Sequence, residues 1–214
     1  DALSLTVTGG TAATTDINPG TLTLTDGLET WTATTSTSGA TATIGTLADA
    51  DSLVTVNLTA SYGNIVVGAI GGTGTAEVLQ NVNLTASNSA DITVGNITAD
   101  TTNSTTENDV TVTAVSGSGS TVTLGNVDNT QGALTLNLSG SGDVDGGTLT
   151  GDDVTMAFSA GDTSTMTAVT ATDDVTLTTS GSGKLTITTL NVGDDATITS
   201  TSSDTVTIGT LGNG

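Results

Sequence analysis

The sequence predicts an all-β fold: a right-handed parallel β-helix, or β-solenoid, of about eight to nine coils with 20–28 residues per coil. Residues 1–214 read as one such domain. Three observations carry this. Apolar and polar residues alternate with period two in short runs, the pattern of a strand with one buried face. The runs recur at near-constant intervals. A second apolar motif keeps step with them. A unit of this length cannot bury its apolar face alone, whereas stacked units bury a continuous core and pair each strand with neighbours roughly 4.8 Å above and below.

The elements follow in order. Leu3 to Val7 opens the chain as a strand. WTATTS at 31–36 is a weak first copy of the repeating run, followed by VNLTAS at 56–61 and again at 82–87. VTVTAV (110–115), LTLNLS (134–139), VTMAFS (154–159), VTLTTS (175–180) and ATITST (196–201) continue it. The steps between starts are 25, 26, 28, 24, 20, 21 and 21 residues. The longer steps read as loops at the corners, the clearest being residues 101–108.

The second motif is two apolar residues three positions apart, usually with Gly after the first. Its copies are Ile44-Gly45-Thr46-Leu47, Val67-Gly68-Ala69-Ile70, Val94-Gly95-Asn96-Ile97, Leu124-Gly125-Asn126-Val127, Met166-Thr167-Ala168-Val169, Ile187-Thr188-Thr189-Leu190 and Ile208-Gly209-Thr210-Leu211. The unit at 134–153 lacks a clean copy. A three-residue step breaks period two, so each copy predicts a bend after which the chain faces inward again. A β-sandwich also has many short strands but does not predict a motif in phase with a repeat.

Composition narrows the function. Among 214 residues there is one Trp (Trp31), one Tyr (Tyr62), one Phe (Phe158), one Pro (Pro19), one basic residue (Lys184) and no His or Cys, with a formal net charge of −21. Disorder does not fit, because only 11% of residues are charged and the β-branched alternation is dense. No run of about 18 apolar residues could span a membrane. Nucleic acid and anionic lipid are poor partners for so acidic a chain. No disulfide framework exists, and no signal peptide is visible at Asp1, as expected for a mature or trimmed chain.

Paired aspartates recur every 21 residues: Asp152/Asp153, Asp173/Asp174 and Asp194/Asp195. Asn108-Asp109 falls in the same slot two coils earlier. Stacked coils turn these into a corner column, where like charges repel by about 1 kcal/mol per pair even in water. Two readings stand. The carboxylates can cap turn amides and splay into solvent. Or they can hold Ca²⁺, a hard cation that takes six to eight oxygen ligands. The lack of His and Cys makes zinc and copper implausible. Asp143 and Asp145, in the turn-like run 143–147, are further Ca²⁺ candidates. The calcium nonapeptide repeat is not present: Gly71-Gly72-Thr73-Gly74-Thr75 matches its start, but Ala76 stands where Asp belongs.

An enzyme is not expected. There is no His or Cys for nucleophilic catalysis, no Arg and one Lys to hold an acidic sugar, and three aromatics to build a sugar cleft. Outward T-x-T pairs such as Thr41/Thr43, Thr121/Thr123 and Thr176/Thr178 resemble those of β-solenoid antifreeze proteins, which would imply ice binding. The uneven steps and the spread of Thr over several faces count against it. Five N-x-S/T sequences, beginning at Asn57, Asn83, Asn96, Asn103 and Asn137, are what chance produces in so Thr-rich a chain.

The Thr/Val/Gly/Asp-rich units, phrases such as VNLTAS and Thr188-Thr189-Leu190-Asn191-Val192, and the near-absence of Lys and Arg resemble bacterial S-layer proteins and large type I-secreted surface proteins. The resemblance spans the chain and is compositional. It implies an extracellular structural module of a surface layer or filament, self-assembling with Ca²⁺, with other copies of the chain as partner. An adhesin or stalk domain that binds cell-surface glycan is the alternative. No catalytic residues carry over. Edges without a visible cap at both ends favour stacking on further chain or another subunit.

Overall fold

The computed structural model describes residues 1–7, 16–17, 21–23, 27–48, 52–71, 78–99 and 108–213, and among them every regular element is a strand. In chain order these are β1 (Ala2–Val7), β2 (Asp16–Ile17), β3 (Thr21–Thr23), β4 (Thr30–Thr35), β5 (Thr41–Ile44), β6 (Thr46–Ala48) and β7 (Thr55–Ala60). Next come β8 (Asn64–Ile70), β9 (Asn81–Ala86), β10 (Ile92–Thr98), β11 (Val110–Ser116), β12 (Thr121–Leu124), β13 (Val127–Asn129) and β14 (Leu134–Gly140). The last are β15 (Asp143–Gly151), β16 (Val154–Ala160), β17 (Ser164–Ala171), β18 (Val175–Thr179), β19 (Leu185–Val192), β20 (Ala196–Ser200) and β21 (Val206–Asn213).

The strands form two parallel sheets. The first has nine strands in the order β1-β4-β7-β9-β11-β14-β16-β18-β20. The second has twelve, along β2-β5-β8-β10-β12-β15-β17-β19-β21, with β3, β6 and β13 beside that path. Each coil therefore gives one strand to the first sheet and one bent strand, or a bent pair, to the second. This is the predicted β-solenoid, with about seven turns rather than eight or nine. The difference lies at the ends: β4 to β19 make the coils covered on both sides, and the larger count includes the open coils of β1–β3 and β20–β21.

Inward positions stack like on like. One column runs Leu3–Trp31–Val56–Val82–Val112–Leu136–Met156–Leu177–Ile198. Its interior members are at most 1% exposed, while Leu3 and Ile198 are each 42% exposed because no coil covers them. Each enclosed aliphatic side chain contributes about 1.5–3 kcal/mol by leaving water, so the stack supplies the stability that a single coil lacks. Outward positions stack as well. Thr30–Thr55–Asn81–Thr111–Thr135–Thr155–Thr176–Thr197 form one column of the first sheet. Thr32–Asn57–Asn83–Thr113–Asn137–Ala157–Thr178–Thr199 form the next.

Two details of the repeat differ from expectation. Val82 pairs with Val112, not Val110, so this step is 30 residues rather than 28. A two-residue slip keeps every apolar side chain inward, so alternation alone cannot detect it. Most of the expected loop, residues 101–107, lies outside the described residues. The missing motif copy is Gly146-Gly147-Thr148-Leu149: Gly146 pairs with Leu124 below and Met166 above, and Leu149 with Val127 and Val169. Gly146 hides the motif by having no side chain. A Cβ there would stand 2.5 Å from the Met166 sulfur, so the long Met166 side chain fills the gap.

The bend in the second sheet is also explained. A Cβ on Gly68 would lie 1.8 Å from the Gly45 carbonyl oxygen, and one on Gly95 would lie 1.6 Å from that of Gly68. Consecutive backbones approach too closely there for any side chain. Some polar groups facing the interior are satisfied at the corners: the Thr35 hydroxyl donates to the Gly63 carbonyl at 2.5 Å and Ser116 to the Ser120 carbonyl at 2.7 Å, whereas Trp31 Nε1 and the Ser120 hydroxyl are buried without a hydrogen-bond partner among the described residues.

Candidate functional site: the acidic corner

The aspartate pairs sit where the second sheet hands the chain to the first. Asp152/Asp153 separate β15 from β16, Asp173/Asp174 separate β17 from β18, and Asp194/Asp195 separate β19 from β20. Backbone bonds stack them. The amide of Asp173 donates to the Asp152 carbonyl at 3.0 Å, and that of Asp194 to the Asp173 carbonyl at 2.9 Å. The predicted column therefore forms.

The second member of each pair makes a further bond. The Asp174 amide donates to the Asp153 carboxylate at 3.1 Å, and the Asp195 amide to the Asp174 carboxylate at 2.9 Å. Lower in the rod, the Ala133 amide donates to Asp109 at 3.2 Å, which places Asn108-Asp109 in the slot the sequence suggested. Each such carboxylate takes up an amide that the bent corner leaves outside the sheet ladder. In the first members, Asp152 accepts the Thr172 hydroxyl at 2.5 Å.

Asp173, Asp174 and Asp194 come closest together. One carboxylate oxygen from each lies within 4.8 Å of the others, and all three residues are exposed. Asp174, then desolvation, and then the carboxylates of Asp153, Asp194 and Asp152 push Asp173 above the ordinary value of 3.8. Lys184, the one basic side chain, is exposed on the far side of the coil, beyond β18. Three clustered oxygens form a donor set suited to a hard cation, with turn carbonyls and water needed to complete it.

Asp143 and Asp145 lie elsewhere. They project from the outer face of β15, where Asp145 accepts the Thr165 amide at 2.8 Å. Burial, then Asp162 and Asp145, push Asp143 upward. The Thr163 amide opposes this with the smallest effect of the four, and it also donates to Asp162 at 2.9 Å. One oxygen of Asp143 is buried without a hydrogen-bond partner among the described residues. The eight candidates thus divide between a corner column and one strand, and three form the tight group.

The same device recurs at residues the sequence did not mark as inter-coil acceptors. The Asp91 amide donates to the Asn64 side chain at 2.8 Å, and Thr121 donates to Asp91 at 2.9 Å. Asn126 donates to Asn96 at 3.2 Å, and Thr148 to Asn126 at 3.0 Å. In all of these pairs the acceptor belongs to the earlier coil and the amide to the later one. The sequence signal was an Asn or Asp one coil before each donor, visible only once the uneven steps of 22 to 30 residues are known. Comparison with family models, curated proteins and solved structures returns no match.

Proposed function

We propose that this chain is a structural module of an extracellular bacterial surface layer or filament, a β-solenoid rod that assembles with copies of itself and is stabilised by Ca²⁺. The observation that carries the reading is the corner column. The carboxylates of Asp109, Asp152, Asp153 and Asp174 hold one coil to the next, which is scaffold work, and the column leaves a dense acidic line on the surface. Ca²⁺ would be held by Asp173, Asp174 and Asp194, relieving the repulsion that raises Asp173. The chain also offers little for catalysis. Its surface concavities, lined by groups such as Gln80, Asn81, Asn108, Asp109 and Thr111 or Ser38, Tyr62 and Asn64, carry neither a His nor a Cys.

The test is a thermal melt followed by Trp31 fluorescence, with light scattering alongside, in about 5–10 mM Ca²⁺ against excess EDTA, a range that fills weak extracellular sites. The reading expects a higher melting temperature and Ca²⁺-dependent scattering. Identical melts with no scattering at any protein concentration would overturn it.

A further inference from the structure

The acids are not spread evenly over the rod. The chain carries 22 Asp and Glu residues, yet none falls within any of the nine strands of the first sheet. The outer face of that sheet consists of the two Thr/Asn columns described above and their neighbours. The second sheet is different: Asp143 and Asp145 project from β15, and Asp128 lies in β13. Among the described residues, a rod of net charge −21 thus has one sheet whose strands carry no charge, bordered along one edge by the acidic corner column.

From this we infer that the outer face of the first sheet is a self-association surface, against which the same face of a second copy packs. The inference rests on the self-assembling reading above and specifies its contact.

Three arguments select a second copy. First, two rods of this charge repel wherever carboxylates oppose each other, and among the described residues the strands of this face carry none. Second, a two-fold contact needs a patch complementary to itself. Thr hydroxyls and Asn amides both donate and accept, whereas ionised carboxylates only accept. The columns are already ordered for this, since the Asn83 amide donates to the Asn57 side-chain oxygen at 2.9 Å. Third, the size fits. Nine strands at about 4.8 Å spacing and five to seven residues at about 3.3 Å each give a face of roughly 750 Å², against about 800 Å² per partner in a standard stable interface.

The experiment is sedimentation equilibrium of the full chain over a wide concentration range at low and high NaCl. It compares wild type, the double variant Asn137→Asp/Thr178→Asp on the face, Thr93→Asp on the outer face of the second sheet, and Leu211→Asp at the exposed last coil. All four positions are solvent-exposed, and circular dichroism is the check that each variant folds. The expected result is association of wild type that strengthens with salt, weakens at least tenfold in the face variant, and is unchanged in Thr93→Asp. Association that survives the face variant but fails in Leu211→Asp would overturn this contact while leaving self-assembly intact. A wild type that stays monomeric throughout would overturn both, and binding of the face to ice or to a glycan by that monomer would identify what the columns serve instead.

Discussion

The amide of Asp195 donates to the carboxylate of Asp174 across the boundary between two coils, at 2.9 Å. The acidic corner is therefore both a source of repulsion and a set of inter-coil bonds, and substitutions can separate the two. Asp174→Asn keeps the acceptor and removes a charge, so stability in EDTA should hold or rise. Asp174→Ala removes the acceptor as well and should be about 0.5–1.5 kcal/mol less stable than the Asn variant. Urea unfolding of the pair measures the difference. If Ca²⁺ binds here, both variants also lose the Ca²⁺-dependent rise in melting temperature.

The raised carboxylates set the sign of the pH dependence. A group whose folded-state value lies above its unfolded value binds protons more readily when folded, so stability rises as pH falls through the folded value. Asp173 and Asp143 both behave this way. In EDTA the melting temperature should increase from neutral pH down toward the ordinary carboxylate value of 3.8, the reverse of ordinary acid denaturation over that window. A melting temperature that falls steadily from pH 7 to pH 5 would contradict it.

The bend in the second sheet tolerates side chains unequally. Gly95→Ala should cost at least about 3 kcal/mol, because its Cβ would collide with the backbone of Gly68 rather than with a movable side chain. Thr188→Ala, at the equivalent bend of β19, should cost less than about 1 kcal/mol, since that coil already carries a Cβ and Thr188 is exposed. Chemical denaturation of the two variants provides the comparison.

Gly146 and Met166 should be coupled. Gly146→Ala alone places its methyl against the Met166 sulfur, and Met166→Ala alone leaves a cavity worth about 2–5 kcal/mol. Combined, each change relieves part of the other, so the double variant should be more stable than the sum of the singles by about 1 kcal/mol or more. Additive losses in a double-mutant cycle would show that the sulfur does not fill that space.

Most of the architecture was legible in the residues. Period-two runs located the first-sheet strands, and the apolar pair three residues apart located the bends of the second. What stayed hidden followed from two physical facts. A slip of two residues leaves every inward side chain inward, which concealed the true partner of Val82. A glycine can occupy an apolar position when its neighbour is long enough, which concealed the motif at Gly146. The aspartate column was predicted from spacing. Its bonds to the next coil were not, because they depend on the amides each corner leaves free. The inter-coil bonds of Asn64, Asp91, Asn96 and Asn126 were hidden for the same reason.

The variable corners bear on how such a chain can diversify. Coil lengths range from 20 to 30 residues, yet the strands above and below remain paired in register. A segment inserted at a corner leaves the remaining coils where they were, so its length is a local property of the gene. Inside a strand the rule is stricter: an insertion of one residue turns every later side chain of that strand inside out, whereas two leave it intact. Heritable length changes within strands are thus filtered by parity, while the corners accept them freely and can acquire new loops without renegotiating the core.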